Sequence, residues 1–151
     1  MAIFLVQHGI CLTKDQDSEK GLTEKGRSDT LKIAEVAKAY KIPVLKIVHS
    51  GKKRAVQTAN IFNKTLGLNN PCEQIFGIKP LDGVKVFGDE IDRLSNIMVV
   101  GHLPFMERLV SYLTAGSEDL RVIKFQNSGI VCLDDEDGSW FIKWTLNPNI
   151  S

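Results

Sequence analysis

Ala2-Ile3-Phe4-Leu5-Val6-Gln7-His8-Gly9 decides how this chain is read: five apolar residues without a break, then a polar pair and a glycine. A strand with one wet face alternates apolar and polar residues, so an unbroken run predicts a strand buried on both faces, as in a parallel sheet covered by helices. The pattern recurs downstream. Val44-Leu45-Lys46-Ile47-Val48 runs into His49-Ser50-Gly51, and Ile97-Met98-Val99-Val100 runs into Gly101-His102.

Helical periods separate these runs. From Leu22-Thr23 a helix is expected, with Thr23 as N-cap, Glu24 in the first turn, and Leu31, Ala34 and Ala37 along one side, ending at Ile42-Pro43. Ala55, Ala59, Phe62 and Leu66 mark a second helix, with Gly67 as its C-cap. A short strand near residues 73–76 and a loop around Pro80 lead to a third helical stripe, Val84, Phe87, Ile91 and Leu94. Met106, Leu109, Val110 and Leu113 give a fourth, with Pro104 suited to its first turn. Residues 122–125, 129–133 and 140–146 read as strands, the last two joined by an acidic turn over residues 134–139. The expected fold class is therefore α/β, a three-layer α/β/α arrangement whose mostly parallel sheet gains antiparallel strands at the C-terminal end.

With 151 residues, 43% of them hydrophobic, the chain suits one domain over residues 1–151. Nineteen Lys and Arg against eighteen Asp and Glu leave a formal charge of +1, which points to no nucleic acid partner. The five apolar residues after Met1 are too few for the core of a signal peptide, and no run approaches a membrane span, so a cytoplasmic protein with no membrane partner is expected. Cys11, Cys72 and Cys132 are odd in number and lack CxxC spacing, which favours small buried thiols over a disulfide or a cysteine metal site.

The three histidines of the chain, His8, His49 and His102, each follow a buried-strand pattern directly. Ligands of open α/β sheets bind at the carboxyl edge, where strand ends and helix N-termini meet, so the three are expected near one another. A three-histidine zinc site is one alternative, but no Asp or Glu adjoins His8 or His102 to serve as ligand or orienter. Ser50-Gly51-Lys52-Lys53-Arg54 instead places three cations at a helix start, where they oppose the helix dipole unless an anion sits there. Arg54 stands out because a guanidinium grips two phosphoryl oxygens at once.

These segments resemble the histidine phosphatase superfamily, which shares the phosphoglycerate mutase fold, and within it the short SixA-type phosphohistidine phosphatases. Residues 4–9 are similar to the family's strand followed by Arg-His-Gly, and Leu22-Thr23-Glu24-Lys25-Gly26 to its Leu-Thr-x-x-Gly helix start. Residues 50–59 are similar to its Ser-x-x-x-Arg-Ala-x-Gln-Thr-Ala segment, and Val99-Val100-Gly101-His102-Leu103-Pro104 to its second-histidine motif.

The resemblance implies His8 as nucleophile, with Arg54 and His102 holding phosphoryl oxygens and Gln7, Gly9 and Ser50 lining the substrate site. It implies a metal-independent reaction with no cofactor. Gln7 departs from the pattern, standing where the family has the first arginine of Arg-His-Gly. Hydrogen bonds to charged groups contribute roughly 1.5–3 kcal/mol, so the exchange is expected to weaken catalysis, and a phosphate- or phosphoprotein-binding module is the alternative reading. No clear general acid is present; Asp82 is the nearest candidate and better suits a turn cap. Only residues 10–21 and 69–83 form loops long enough to cover a pocket, and an open site suits a phosphorylated protein, such as a histidine phosphotransfer domain, better than a small phosphorylated molecule.

Overall fold

The computed structural model describes residues 2–91 and 94–150. Along the chain run β1 (Ala2–Gln7), α1 (Glu24–Ala39), β2 (Lys46–His49), α2 (Lys53–Leu66), β3 (Glu73–Gln74), α3 (Val84–Asp89), β4 (Ile97–Gly101), α4 (Phe105–Ala115), β5 (Ile130–Glu136) and β6 (Ser139–Leu146). The strands form one sheet in the order β3-β2-β4-β1-β5-β6. Neighbours from β3 to β1 are parallel, while β5 pairs antiparallel with β1 and β6 antiparallel with β5.

Alternate residues of the apolar strands face opposite sides, and helices cover both. Phe4, Val6, Met98 and Val100 pack with Ile33, Ala34 and Ala37 of α1 and Ala55, Ala59 and Phe62 of α2. Ile3, Leu5 and Val99 pack with Phe105, Met106, Leu109 and Val110 of α4. All of these side chains are buried, each stabilising the fold by about 1.5–3 kcal/mol per large apolar group, which is why the central strands carry no polar alternation.

The helix ends follow local chemistry. Thr23 caps α1, its hydroxyl accepting from the Gly26 N–H at 2.9 Å, and Gly67 closes α2 in the left-handed conformation at φ 70°. The buried face of α1, however, is Gly26, Thr30, Ile33, Ala34 and Ala37, whereas Leu31 points to solvent. The expected stripe was one residue out of phase at its start. The stripe through Leu94 predicts more helix than forms: α3 ends at Asp89, while Ile91 and Leu94 still pack into the core, and residues 92 and 93 lie outside those described.

Residues 122–125 are not a strand. Both edges of β1 are already taken by β4 and β5, so no ladder is open to them there; Phe125 buries its ring and its N–H reaches the Glu107 carboxylate instead. The C-terminal hairpin is tighter than the expected turn over 134–139. Its strands extend to Glu136 and Ser139, leaving Asp137 (φ 51°) and Gly138 (φ 81°), the two positive-φ residues that match the twist of a two-residue hairpin. Of the cysteines, Cys132 is buried, and Cys11 and Cys72 are half-buried; all three are free thiols.

Candidate functional site

Because β4 lies between β1 and β2, the carboxyl ends of these three strands are neighbours, and they deliver Gln7-His8, His49-Ser50 and Gly101-His102 to one place. The His8 main chain is fixed on both sides, its N–H donating to Gly101 O at 3.0 Å and its carbonyl accepting from Asn127 Nδ2 at 2.8 Å. The His8 ring places Nδ1 2.7 Å from the Gly9 carbonyl. A carbonyl only accepts, so Nδ1 carries the proton and Nε2 keeps its lone pair. Arg54 Nε donates to that lone pair at 3.3 Å.

The rings of His8 and His102 lie 5.1 Å apart between centroids. Ser50 Oγ is 2.6 Å from His102 Nε2 and accepts from the Lys52 N–H; in the tautomer in which the hydroxyl donates to Nε2, the proton of the His102 ring is on Nδ1. That Nδ1 is buried without a partner among the described residues, as is Oε1 of Gln7. Two buried polar atoms left open in one place are uncommon, since such atoms are normally paired.

Electrostatically the site is a cationic recess. Burial holds the His8 imidazole down to about 4, with the Arg54 and Lys20 charges acting the same way against the raising effect of the Gly9 hydrogen bond. Burial likewise brings His102 to about 3, helped by the charges of His8, Arg54, Lys52 and Lys20. Both rings are therefore neutral at pH 7, and the surrounding charge is Arg54, Lys52 and Lys20. The α2 N-terminus adds its dipole, having no side-chain cap at Lys52.

Lys20 carries no motif and the sequence reading missed it. It sits at φ 55° in the loop before α1, held by its N–H to Asp17 O at 2.9 Å, while the Asp17 carboxylate accepts from Gly21 N–H and from Lys53 Nζ. Lys53 is thus committed to Asp17 and Glu19, in contrast to Lys52. Gly9 is also explained differently from the expectation. Its N–H donates to Thr58 Oγ1 at 2.9 Å, and a Cβ there would meet Thr30 Oγ1, Gly26 O and Leu22 Cδ2 at 2.9–3.1 Å, so packing against α1 demands the glycine.

His49 and Asp82 make local contacts. The His49 ring accepts from the Gly51 N–H at 3.1 Å, and its neighbour Ser50 makes the contact to His102. Asp82 accepts from the Lys79 N–H at 2.9 Å, closing the turn before α3. Among the described residues no three His, Cys, Asp or Glu side chains are arranged to hold a metal ion.

The chain is similar to known proteins. Residues 3–76 match the family model for the histidine phosphatase superfamily, branch 1. The phosphohistidine phosphatase SixA of Escherichia coli (strain K12) is 26% identical over 155 residues, covering 98% of this chain and 94% of that protein. A structure of the protein histidine phosphatase SixA complexed with tungstate superposes with a TM-score of 0.85 at 26% identity, over 98% of this chain and 97% of the other. A phosphoserine phosphatase of Entamoeba histolytica in complex with phosphoserine shares the fold at a TM-score of 0.73 and 15% identity, over 95% of each chain.

Proposed function

We propose that the chain belongs to the histidine phosphatase superfamily, in its SixA type, and is a metal-independent phosphohistidine phosphatase, one catalytic domain over residues 1–151 acting in the cytoplasm on a phosphorylated protein. The single observation that carries this reading is the His8 ring, whose Nε2 lone pair stands free of its own proton 3.3 Å from the Arg54 guanidinium. Nε2 attacks phosphorus in line and the phosphoryl group passes to it as the bond to the leaving group breaks. Water then attacks the phosphohistidine and releases phosphate, so one difficult displacement becomes two easier ones.

Charge on the equatorial oxygens meets donors already in place. Arg54 turns its guanidinium from Nε2 to the phosphoryl oxygens, and His102 offers Nδ1–H in the tautomer in which Ser50 donates to its Nε2. A flip of the Gln7 amide brings its NH2 where Oε1 has no partner. Lys20 supplies charge from the loop. The depressed pKa values keep His8 nucleophilic at neutral pH, where an ordinary histidine would be partly protonated.

The leaving group fits as well. Asp82 is spent on a backbone N–H, and expelling an imidazole, with a reference pKa of about 6.5, needs far less help than expelling an alkoxide. The test is direct comparison of turnover. A phosphohistidine protein should be hydrolysed at least about a hundredfold faster than a phosphoserine peptide, and His8→Ala and Arg54→Ala should abolish or sharply reduce the rate. Equal turnover of the phosphoserine peptide contradicts the assignment.

A further inference from the structure

Beside the cationic recess, along the same carboxyl edge of the sheet, the segment between β3 and α3 exposes an apolar surface that the chemistry does not use. Phe76 is 85% exposed, Leu81 84% and Val86 74%, all within eleven residues. The segment adjoins the site at two points. Ile75 N–H donates to His49 O, and the Gln74 side chain lies against Gly51, the residue after Ser50. The Ile78 carbonyl passes 3.8 Å from where a Cβ on Gly101 would stand, next to His102.

These side chains are not exposed because the loop is loose. Ile78 is buried in the core, Asp82 bonds the Lys79 backbone in both directions, and Arg108 of α4 donates to the Asp82 carbonyl. Phe87 packs edge-on against Phe105, seating α3. Phe76 and Val86 line an open hollow of about 450 Å³ together with Gly77, Gly83 and Phe87, with Asp82 and Glu90 also in its lining. A held segment that presents Phe76 and the α3 residue Val86 at this hollow, with Leu81 exposed in the same stretch, is preorganised for docking, since little side-chain or loop entropy remains to be lost.

We infer that Phe76, Leu81 and Val86 form the docking surface for the substrate protein, whose phosphohistidine enters the recess while apolar side chains beside it seat in the hollow. The inference rests on the proposed function and specifies the substrate: a folded protein with exposed apolar residues flanking the phosphorylated histidine, as opposed to a free phosphoramidate or an acidic peptide. Continuity with the recess selects this occupant. A partner that brings its phosphoryl group to His8 must cover the adjoining edge, and that edge is apolar where the recess is cationic.

Two measurements separate this claim from the one it rests on. Turnover of a purified phosphotransfer domain phosphorylated on histidine, set against phosphoramidate itself, reads the activity of the wild-type chain. Calorimetric titration of the same phosphorylated domain into His8→Ala, with and without Phe76→Ser or Leu81→Ser, reads docking even if turnover fails. Each patch substitution should weaken binding about tenfold or more, and in the active chain should raise KM for the protein substrate while phosphoramidate turnover changes less than twofold. Unchanged binding in the Phe76→Ser and Leu81→Ser chains overturns the inference. So does a wild-type dimer in sedimentation that Phe76→Ser dissolves, which would assign the surface to a second copy of this chain.

Discussion

Gln7 is the residue at which this chain leaves the pattern of the family it resembles. The side chain is buried at 9% exposure with Oε1 unpaired, next to His8, the proposed nucleophile, on which the charges of Arg54 and Lys20 act. An arginine at this position adds a charged donor for the phosphoryl oxygens and further disfavours the imidazolium of His8. Both effects favour attack. Gln7→Arg is therefore expected to raise kcat/KM on a phosphohistidine substrate about tenfold, the size of one charge-assisted contact. Steady-state kinetics of the folded variant check this, and a fall in rate contradicts the account of Gln7 as a diminished donor.

At the scale of elements, the loop before α1 and the start of α2 are joined by the ion pair of Lys53 with Asp17 at 2.9 Å, which together with two backbone hydrogen bonds holds the Asp17 carboxyl down to about 2. The same carboxylate accepts from the N–H groups of Glu19 and Gly21, on either side of Lys20 at its positive φ, so we propose Asp17 as a positioning residue that acts through Lys20. Lys20→Ala and Asp17→Ala are each expected to weaken competitive inhibition by inorganic phosphate about threefold or more. The double variant should be no weaker than Lys20→Ala alone, because once the Lys20 charge is gone Asp17 has nothing to position. Additive losses, read from inhibition constants at fixed ionic strength, would show that Asp17 does not act through Lys20.

The elements also differ in how far the sequence exposes them. The central strands were legible because burial on both faces erases alternation, and Thr23 and Gly67 because caps follow local chemistry. Residues 122–125 misled because β propensity says nothing about whether a sheet edge is free, and Leu31 because one face of a helix is fixed by tertiary contacts. In the site, His8, Ser50, Arg54 and His102 follow from strand ends and motif spacing. Lys20 and Asn127 do not, since their contacts depend on how a loop folds back 12 and 119 residues from His8, respectively. The crowding that requires a glycine at position 9, against Thr30, Gly26 and Leu22, is visible only in three dimensions.

Over the whole molecule, the site makes stability depend on pH. Burial lowers His8 from 6.5 to about 4 and His102 to about 3, and lowers His49 as well. Between about 6.5 and 4 the unfolded chain binds protons that the folded chain refuses, so the free energy of unfolding rises with pH across this window. The Tm should accordingly fall as pH drops from 6.5 towards 4, and His8→Ala should flatten the slope. Inorganic phosphate, by binding only the folded recess, should raise the Tm at pH 7 in proportion to the logarithm of its concentration above its dissociation constant. Calorimetry that finds a flat Tm through this range, or no effect of phosphate, contradicts the charge distribution described here. No helix among the described residues is long and apolar enough to cross a membrane.

The claim on which the rest depends is that the phosphoryl group passes through His8 Nε2. Rapid quenching of the wild-type chain with labelled phosphohistidine protein, into alkali and followed by peptide mapping, measures it. The account predicts a phosphate adduct on the peptide bearing His8, formed within a turnover, stable to alkali, lost in acid, and absent from His8→Ala. Steady turnover with no such adduct at any quench time, or hydrolysis that survives His8→Ala, would mean that water attacks the substrate directly and that His8 is not the nucleophile.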